Sequence, residues 1–249
     1  SSIPLMIMSL LVKKIASGVK NVTIDVKGGN GALTPSEQEA ETCAARIAEC
    51  APAFGLNPNI TFTTADHVIG QNVGNALEVY EAWAYLTGTG PRDSELHDEI
   101  LNICSGALIQ NGIAATKEEA VEKIEQALGS GRAAECFGRM LYEQGVQPNF
   151  LSNPSAFLPS APVVRPVYPD KEGYVEKMNL RWIGLATLEM GAGRLYQEQS
   201  LDYAAGYSNV CRPGMYVSGR IPLAFVHAGD AQTAELAAVH LKGAITISE

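Results

Sequence analysis

The sequence predicts an α/β fold, in which a parallel-sheet domain flanked by helices is followed by a small α+β domain, and three observations support this. Two β-branched runs, Asn21-Val22-Thr23-Ile24-Asp25-Val26 and Asn59-Ile60-Thr61-Phe62-Thr63-Thr64, bracket a stretch with helical spacing. Strands joined through a helix are parallel, with a right-handed crossover. Helical periodicity then continues to about residue 145, and the segment from Asn149 to Pro169 breaks it with five of the thirteen prolines. That density of proline forbids helix and reads as an extended linker between domains.

The elements follow in order. The apolar opening from Ile3 to Val12 is too short for a membrane span and has no basic segment before it, so it reads as a buried helix. The first strand should end in the turn Lys27-Gly28-Gly29-Asn30-Gly31. Thr34-Pro35-Ser36-Glu37 then offers an N-cap, a proline at the first helical position and acidic residues in the first turn, ahead of the helical spacing of Ala40, Ala44, Ile47 and Ala51. Asn57-Pro58 signals a turn before the second strand. Four helices are predicted over Leu77 to Leu86, Leu96 to Ile109, Glu118 to Leu128 and Ala133 to Glu143, covering the sheet. Beyond the linker the pattern predicts short strands near Val163 to Tyr168, Gly173 to Lys177, Tyr203, Met215 and Leu223. A helix from Leu180 to Met190, another from Ala231 to Leu241 and a last strand from Ala244 to Ser248 complete the chain. The expected domains are 18–150, a linker at 151–169, and 170–249, with residues 1–17 ahead of them.

Composition excludes several function classes. A formal charge of −9 gives no general attraction to nucleic acid or to an anionic membrane. The five cysteines are scattered and never form a C-x-x-C pair, which argues against a disulfide framework or a zinc site and fits a reducing, cytoplasmic setting. Cys43 and Cys50, two turns apart on one helix face, read as core fillers. The four histidines, His67, His97, His227 and His240, form no cluster in sequence.

Two local patterns carry chemistry. The glycine-rich Lys27-Gly28-Gly29-Asn30-Gly31-Ala32, between a strand and a helix, is either a turn requiring positive φ or a cradle of backbone N–H groups facing a ligand. Ser9 and Lys13, at i and i+4, place a hydroxyl and an ammonium on one helix face, where they are either solvated or share a target.

Four segments taken together, in order, resemble the thymidine phosphorylase family of pyrimidine-nucleoside phosphorylases. Ser2-Ile3-Pro4-Leu5 with Ser9 through Lys13-Lys14 is similar to that family's Ser-x-x-x-Lys-Lys pyrimidine-binding helix, and Asp25-Val26-Lys27-Gly28-Gly29-Asn30-Gly31-Ala32 is similar to its glycine loop. Gly74-Asn75-Ala76-Leu77-Glu78-Val79 resembles its Gly-Asn-Ala-Leu-Glu-Val helix start, and Ala192-Gly193-Arg194 with His227 resembles its C-terminal domain.

The resemblance implies an enzyme, a pentosyltransferase of pyrimidine-nucleoside salvage. Its reaction would be the reversible phosphorolysis of thymidine or a related pyrimidine nucleoside to free base and (deoxy)ribose 1-phosphate. Phosphate is the co-substrate. Ser9, Lys13 and Leu33 would contact the base, with Lys13 stabilising the charge that develops on it. A structural monovalent or calcium cation would be held at Ile69, Asn72 and Glu81. The resemblance places the phosphate site, an arginine of base recognition and the helical lobe of the usual homodimer ahead of Ser2. Residues 1–17 are then expected to be the remnant of that lobe, and activity is expected to require the region before it. An inactive member serving as a structural or assembly subunit is the alternative.

Overall fold

Strand β1 (Asn21–Gly28) alternates in burial along its length, and that alternation organises everything around it. Val22, Ile24 and Val26 point to one face and are buried, while Thr23, Asp25 and Lys27 point to the other. The structure, a computed structural model, describes residues 2–248. On the apolar side of β1, helix α1 (Ile3–Ala16) contributes Ile7 and Leu11, and helix α2 (Glu37–Cys50) contributes Ala40, Cys43, Ala44 and Ile47. Strand β2 (Asn57–Thr64) pairs with β1 in parallel, Asn21 opposite Asn57 through Gly28 opposite Thr64. The predicted βαβ unit is therefore present. The turn expected at Asn57-Pro58 is instead the start of β2, which tolerates proline because the two-stranded sheet leaves an unpaired edge.

Helix α4 (Ser94–Gln110) lies against the pair on its polar side. The Gln110 amide donates to the Asn57 carbonyl at 2.6 Å. A side chain at Gly106 would overlap the Asn59 amide, so that glycine admits the sheet. Helix α3 (Asn75–Thr87), by contrast, packs on helix α6 (Arg132–Glu143) and strand β5 (Gly206–Ser208) rather than on the parallel pair, so the four predicted helices do not all cover one sheet.

Two further expectations change. The opening helix forms, but only a stripe of it is buried, and Leu5, Met8 and Val12 are exposed among the described residues. Helix α2 starts at Glu37 with Ser36 as its N-cap, accepting the Glu39 N–H at 3.2 Å, whereas the Thr34 hydroxyl donates to the Lys27 carbonyl at 2.6 Å. Thr34 therefore serves the glycine loop, not the helix.

The chain divides into two units: one comprises the residues up to Ala65 with Ser94–Ala127, the latter including helix α4 and most of α5 (Lys117–Gly129), and the other comprises Asp66–Asp93 with the residues from Leu128 on. In the second unit, β3 (Val163–Val167), β7 (Ala224–Ala228) and β5 form one antiparallel sheet. Strands β6 (Tyr216–Val217), β4 (Gly173–Met178) and β8 (Ile245–Ser248) form another. Helices α7 (Leu180–Glu189) and α8 (Ala231–Ala244) pack on each other, each with a side-chain N-cap: Asn179 accepts the Trp182 N–H, and Asp230 accepts the Thr233 N–H. The core between them and the sheets includes Ile183, Tyr207, Leu223, Val226 and Leu241.

The proline-rich segment is not a bare linker. Phe150 is buried between the Phe137 and Phe157 rings, and the Trp83 indole donates to the Leu151 carbonyl at 2.9 Å. Proline forbids helix there but not burial of the aromatic residues between the prolines.

Segment 70–76 is sewn to the C-terminal strands of the same unit. Val73 and Tyr207 exchange backbone hydrogen bonds in both directions, at 2.9 and 2.8 Å. Gly74 (φ 140°) and Gly206 (φ 155°) let the two backbones cross, because a side chain on either would overlap the other strand. Gly206→Ala should therefore destabilise the protein by about 3 kcal/mol, from strain and overlap with the Val73 carbonyl, as measured by chemical denaturation.

Candidate functional site

Within α1, Ser9 and Lys13 lie one turn apart on the solvent-exposed side, opposite the stripe of Ile7 and Leu11. Lys13 is in the last turn, where a cation complements the partial negative charge of the helix C-terminus. The predicted pairing of hydroxyl and ammonium on one open face is present. Leu33 lies on a different element, the loop after β1, and is 71% exposed.

That loop is tightly built. β1 runs through Lys27 and Gly28, two residues past the predicted end, because both still pair with β2. Gly29 then turns with φ 119°, a conformation that requires glycine. The Ala65 N–H donates to the Gly28 carbonyl at 2.7 Å, and the Gly31 N–H donates to the Ala65 carbonyl at 2.9 Å. The loop leaves the carboxyl end of a parallel strand, the edge where α/β sheets bind ligands.

On the polar face beside it is a charged network that received no role from sequence. Lys27 Nζ lies 2.9 Å from Asp25 Oδ2 and 2.8 Å from Thr63 Oγ1, and it also bonds Glu99 Oε1 of α4. Burial disfavours the ammonium, but hydrogen bonds to Glu99 and Asp25, with their charges, outweigh it and hold Lys27 above the ordinary lysine range. The spacing of Asp25 and Lys27, two apart on one strand, was a legible signal. Glu99, seventy-two residues on, was not.

Ile69, Asn72 and Glu81 fall in the other unit. Glu81 on α3 is folded back onto the segment before its own helix. Glu81 Oε1 accepts the Gln71 N–H at 2.7 Å, and the amide groups of Asn72 lie where they favour the ionised carboxylate. Burial raises the Glu81 pKa despite these groups, with the nearby Asp93 charge adding to the rise. Arg212 Nη2 donates to the Gly70 carbonyl at 2.6 Å and pairs with Asp93 Oδ2 at 2.6 Å. The Gln71 carbonyl is taken by the Val210 N–H at 3.0 Å.

A hard cation needs oxygen lone pairs converging on it. Here the Gln71 N–H donates to the Glu81 carboxylate, and the Arg212 guanidinium donates to the Gly70 carbonyl, so both groups have partners within the protein. Among the described residues no group of three or more His, Cys, Asp or Glu side chains is placed to hold a metal.

The neighbouring motif is also held by its own groups. Glu78 accepts the Gly74 N–H at 3.0 Å, and the Asn75 amide donates to the Ala192 carbonyl at 2.8 Å, which ties the Gly-Asn-Ala-Leu-Glu start to the Ala192-Gly193-Arg194 turn. Arg212→Ala should cost about 3 kcal/mol, because it leaves the Asp93 carboxylate and the Gly70 carbonyl without their shared donor. Calorimetry of the variant beside the unsubstituted protein checks this.

No helix among the described residues is long and apolar enough to cross a membrane. Residues 1–134 match the model of the glycosyl transferase family, a/b domain, a region that includes α1, the glycine loop and the Gly-Asn-Ala-Leu-Glu segment. Residues 174–248 match the pyrimidine nucleoside phosphorylase C-terminal domain, which takes in the α7 and α8 helices and both antiparallel sheets in part. Those two matches lie in the order and at the positions of the four motifs, and the chain belongs to the thymidine/pyrimidine nucleoside phosphorylase family.

Proposed function

We propose that the protein catalyses the reversible phosphorolysis of thymidine or a related pyrimidine nucleoside, giving free base and (deoxy)ribose 1-phosphate. The observation that carries this reading is the presentation of Ser9 and Lys13 on one exposed face of α1, in a chain of this family. A pyrimidine ring edge offers carbonyl acceptors on either side of an N3–H donor. A serine hydroxyl serves either role, and a lysine ammonium donates.

In the reaction a phosphate oxygen bonds to C1′ as the N-glycosidic bond breaks. The base leaves with the bonding electrons and takes up at N1 the proton that the hydrogen phosphate gives up. Negative charge gathers on the ring carbonyls as that bond lengthens. The Lys13 ammonium, hydrogen-bonded to one of them, would then bind the transition state more strongly than the ground state. Ser9 would fix the ring in its plane, and the exposed Leu33 side chain would pack on a ring face. Phosphate is the co-substrate, and no described residue is assigned to it. Glu81 and Arg212 are given no step.

Full-length protein should convert thymidine to thymine only when phosphate is present. Lys13→Ala should lower kcat/KM for thymidine by about tenfold to a hundredfold while leaving the fold intact. Unchanged turnover in that variant would remove the assignment. Absence of phosphorolysis in a full-length protein that purifies with a fixed stoichiometry of another subunit would favour the assembly role instead.

A further inference from the structure

Lys27 stands at the carboxyl end of β1 beside Thr63, near the carboxyl end of β2, where a ligand-contacting lysine would be placed. Its hydrogen bonds argue for another role. An ammonium has three hydrogens. Three acceptors surround this one, Thr63 Oγ1 at 2.8 Å, Asp25 Oδ2 at 2.9 Å and Glu99 Oε1, so none is left for a phosphate or a carbonyl oxygen.

The acceptors are themselves bound to one another. The Thr63 hydroxyl donates to Asp25 Oδ2 at 2.7 Å while accepting from Lys27, and the Thr61 hydroxyl donates to Asp25 Oδ1 at 3.3 Å. One cation therefore joins the ends of two parallel strands to α4 through a closed, partly buried network. The same residue anchors the loop through its backbone. The Lys27 carbonyl accepts the Thr34 hydroxyl at 2.6 Å, and Gly28 bridges to Thr34, so the loop is pinned at both feet with Leu33 exposed between them and α2.

We infer that Lys27 is a positioning residue: held by Asp25, Thr63 and Glu99, it fixes the glycine loop of residues 28–34 that presents Leu33 to the nucleoside. The role at the nucleoside rests on the phosphorolysis reading above; the ordering of the loop does not.

The test compares Lys27→Met, which keeps the aliphatic stem and loses every donor, with Lys27→Arg, which keeps charge and donors. Hydrogen exchange on the full-length protein should show about tenfold faster exchange at the Gly31 and Ala65 amides in Lys27→Met, with the mid-strand amides of Ile24 and Ile60 unchanged. In phosphorolysis assays the same variant should raise the nucleoside KM by about tenfold without moving the phosphate KM, and Lys27→Arg should recover part of the loss. Unchanged loop exchange overturns the inference. So does faster exchange with an unmoved nucleoside KM, and so does a change in the phosphate KM alone, which would make Lys27 a direct phosphate contact. If the unsubstituted protein carries out no phosphorolysis, the functional reading fails, and exchange by itself decides whether Lys27 orders the loop. Should Lys27→Met not fold, Glu99→Gln, which removes one charged acceptor, is read in the same two assays.

Discussion

The two-residue alternation of β1 is the constraint on which the first unit depends. Because successive side chains leave a strand on opposite faces, one eight-residue segment supplies both a hydrophobic anchor and a polar platform. Val22, Ile24 and Val26 pack with α2, and α2 in turn packs with α1, whose Ile7 and Leu11 join the same buried cluster and leave Ser9 and Lys13 on the open side. Thr23, Asp25 and Lys27 meet the polar side chains of β2 and the Glu99 carboxylate of α4. A slip of one residue in register would exchange the two faces and lose both.

The second unit rests on a different constraint, the close crossing of two backbones at Gly74 and Gly206. With no side chain at either position, Val73 and Tyr207 come near enough to exchange hydrogen bonds. The segment that follows β2 in sequence thereby becomes part of the C-terminal core. Around that crossing the loop before α3 finds internal partners for its backbone groups: Glu81 and Arg212 supply the charges, and Val210 an N–H. Buried polar backbone must be satisfied by some group, and here side chains from distant parts of the chain do it.

Local periodicity was a good guide wherever short-range sterics decide conformation. The βαβ pattern, the four middle helices and α7 and α8 all lie close to their expected positions, and Cys43 is a core residue as its helical spacing required. Errors arose where a long-range partner overrides a local signal. Pro58 reads as a turn but lies in a strand because its edge is unpaired, and Thr34 reads as a cap but is drawn to the Lys27 carbonyl. The segment from Asn149 to Pro169 reads as a linker but buries Phe150 between two other rings.

The site divides along the same line. The i, i+4 spacing of Ser9 and Lys13, the glycines of the loop and the Gly-Asn-Ala-Leu-Glu start are written in consecutive residues, and they sufficed to point to the family. Sequence by itself determined which chemical groups the chain carries and which local frame holds them, since helix and strand periods follow from backbone sterics. Only the tertiary structure decided what those groups meet. Lys27 finds Glu99, and Glu81 takes an N–H donor from the segment preceding its helix. Arg212 reaches the Gly70 carbonyl from 142 residues away. Such pairings depend on how whole elements pack, and no local pattern encodes them.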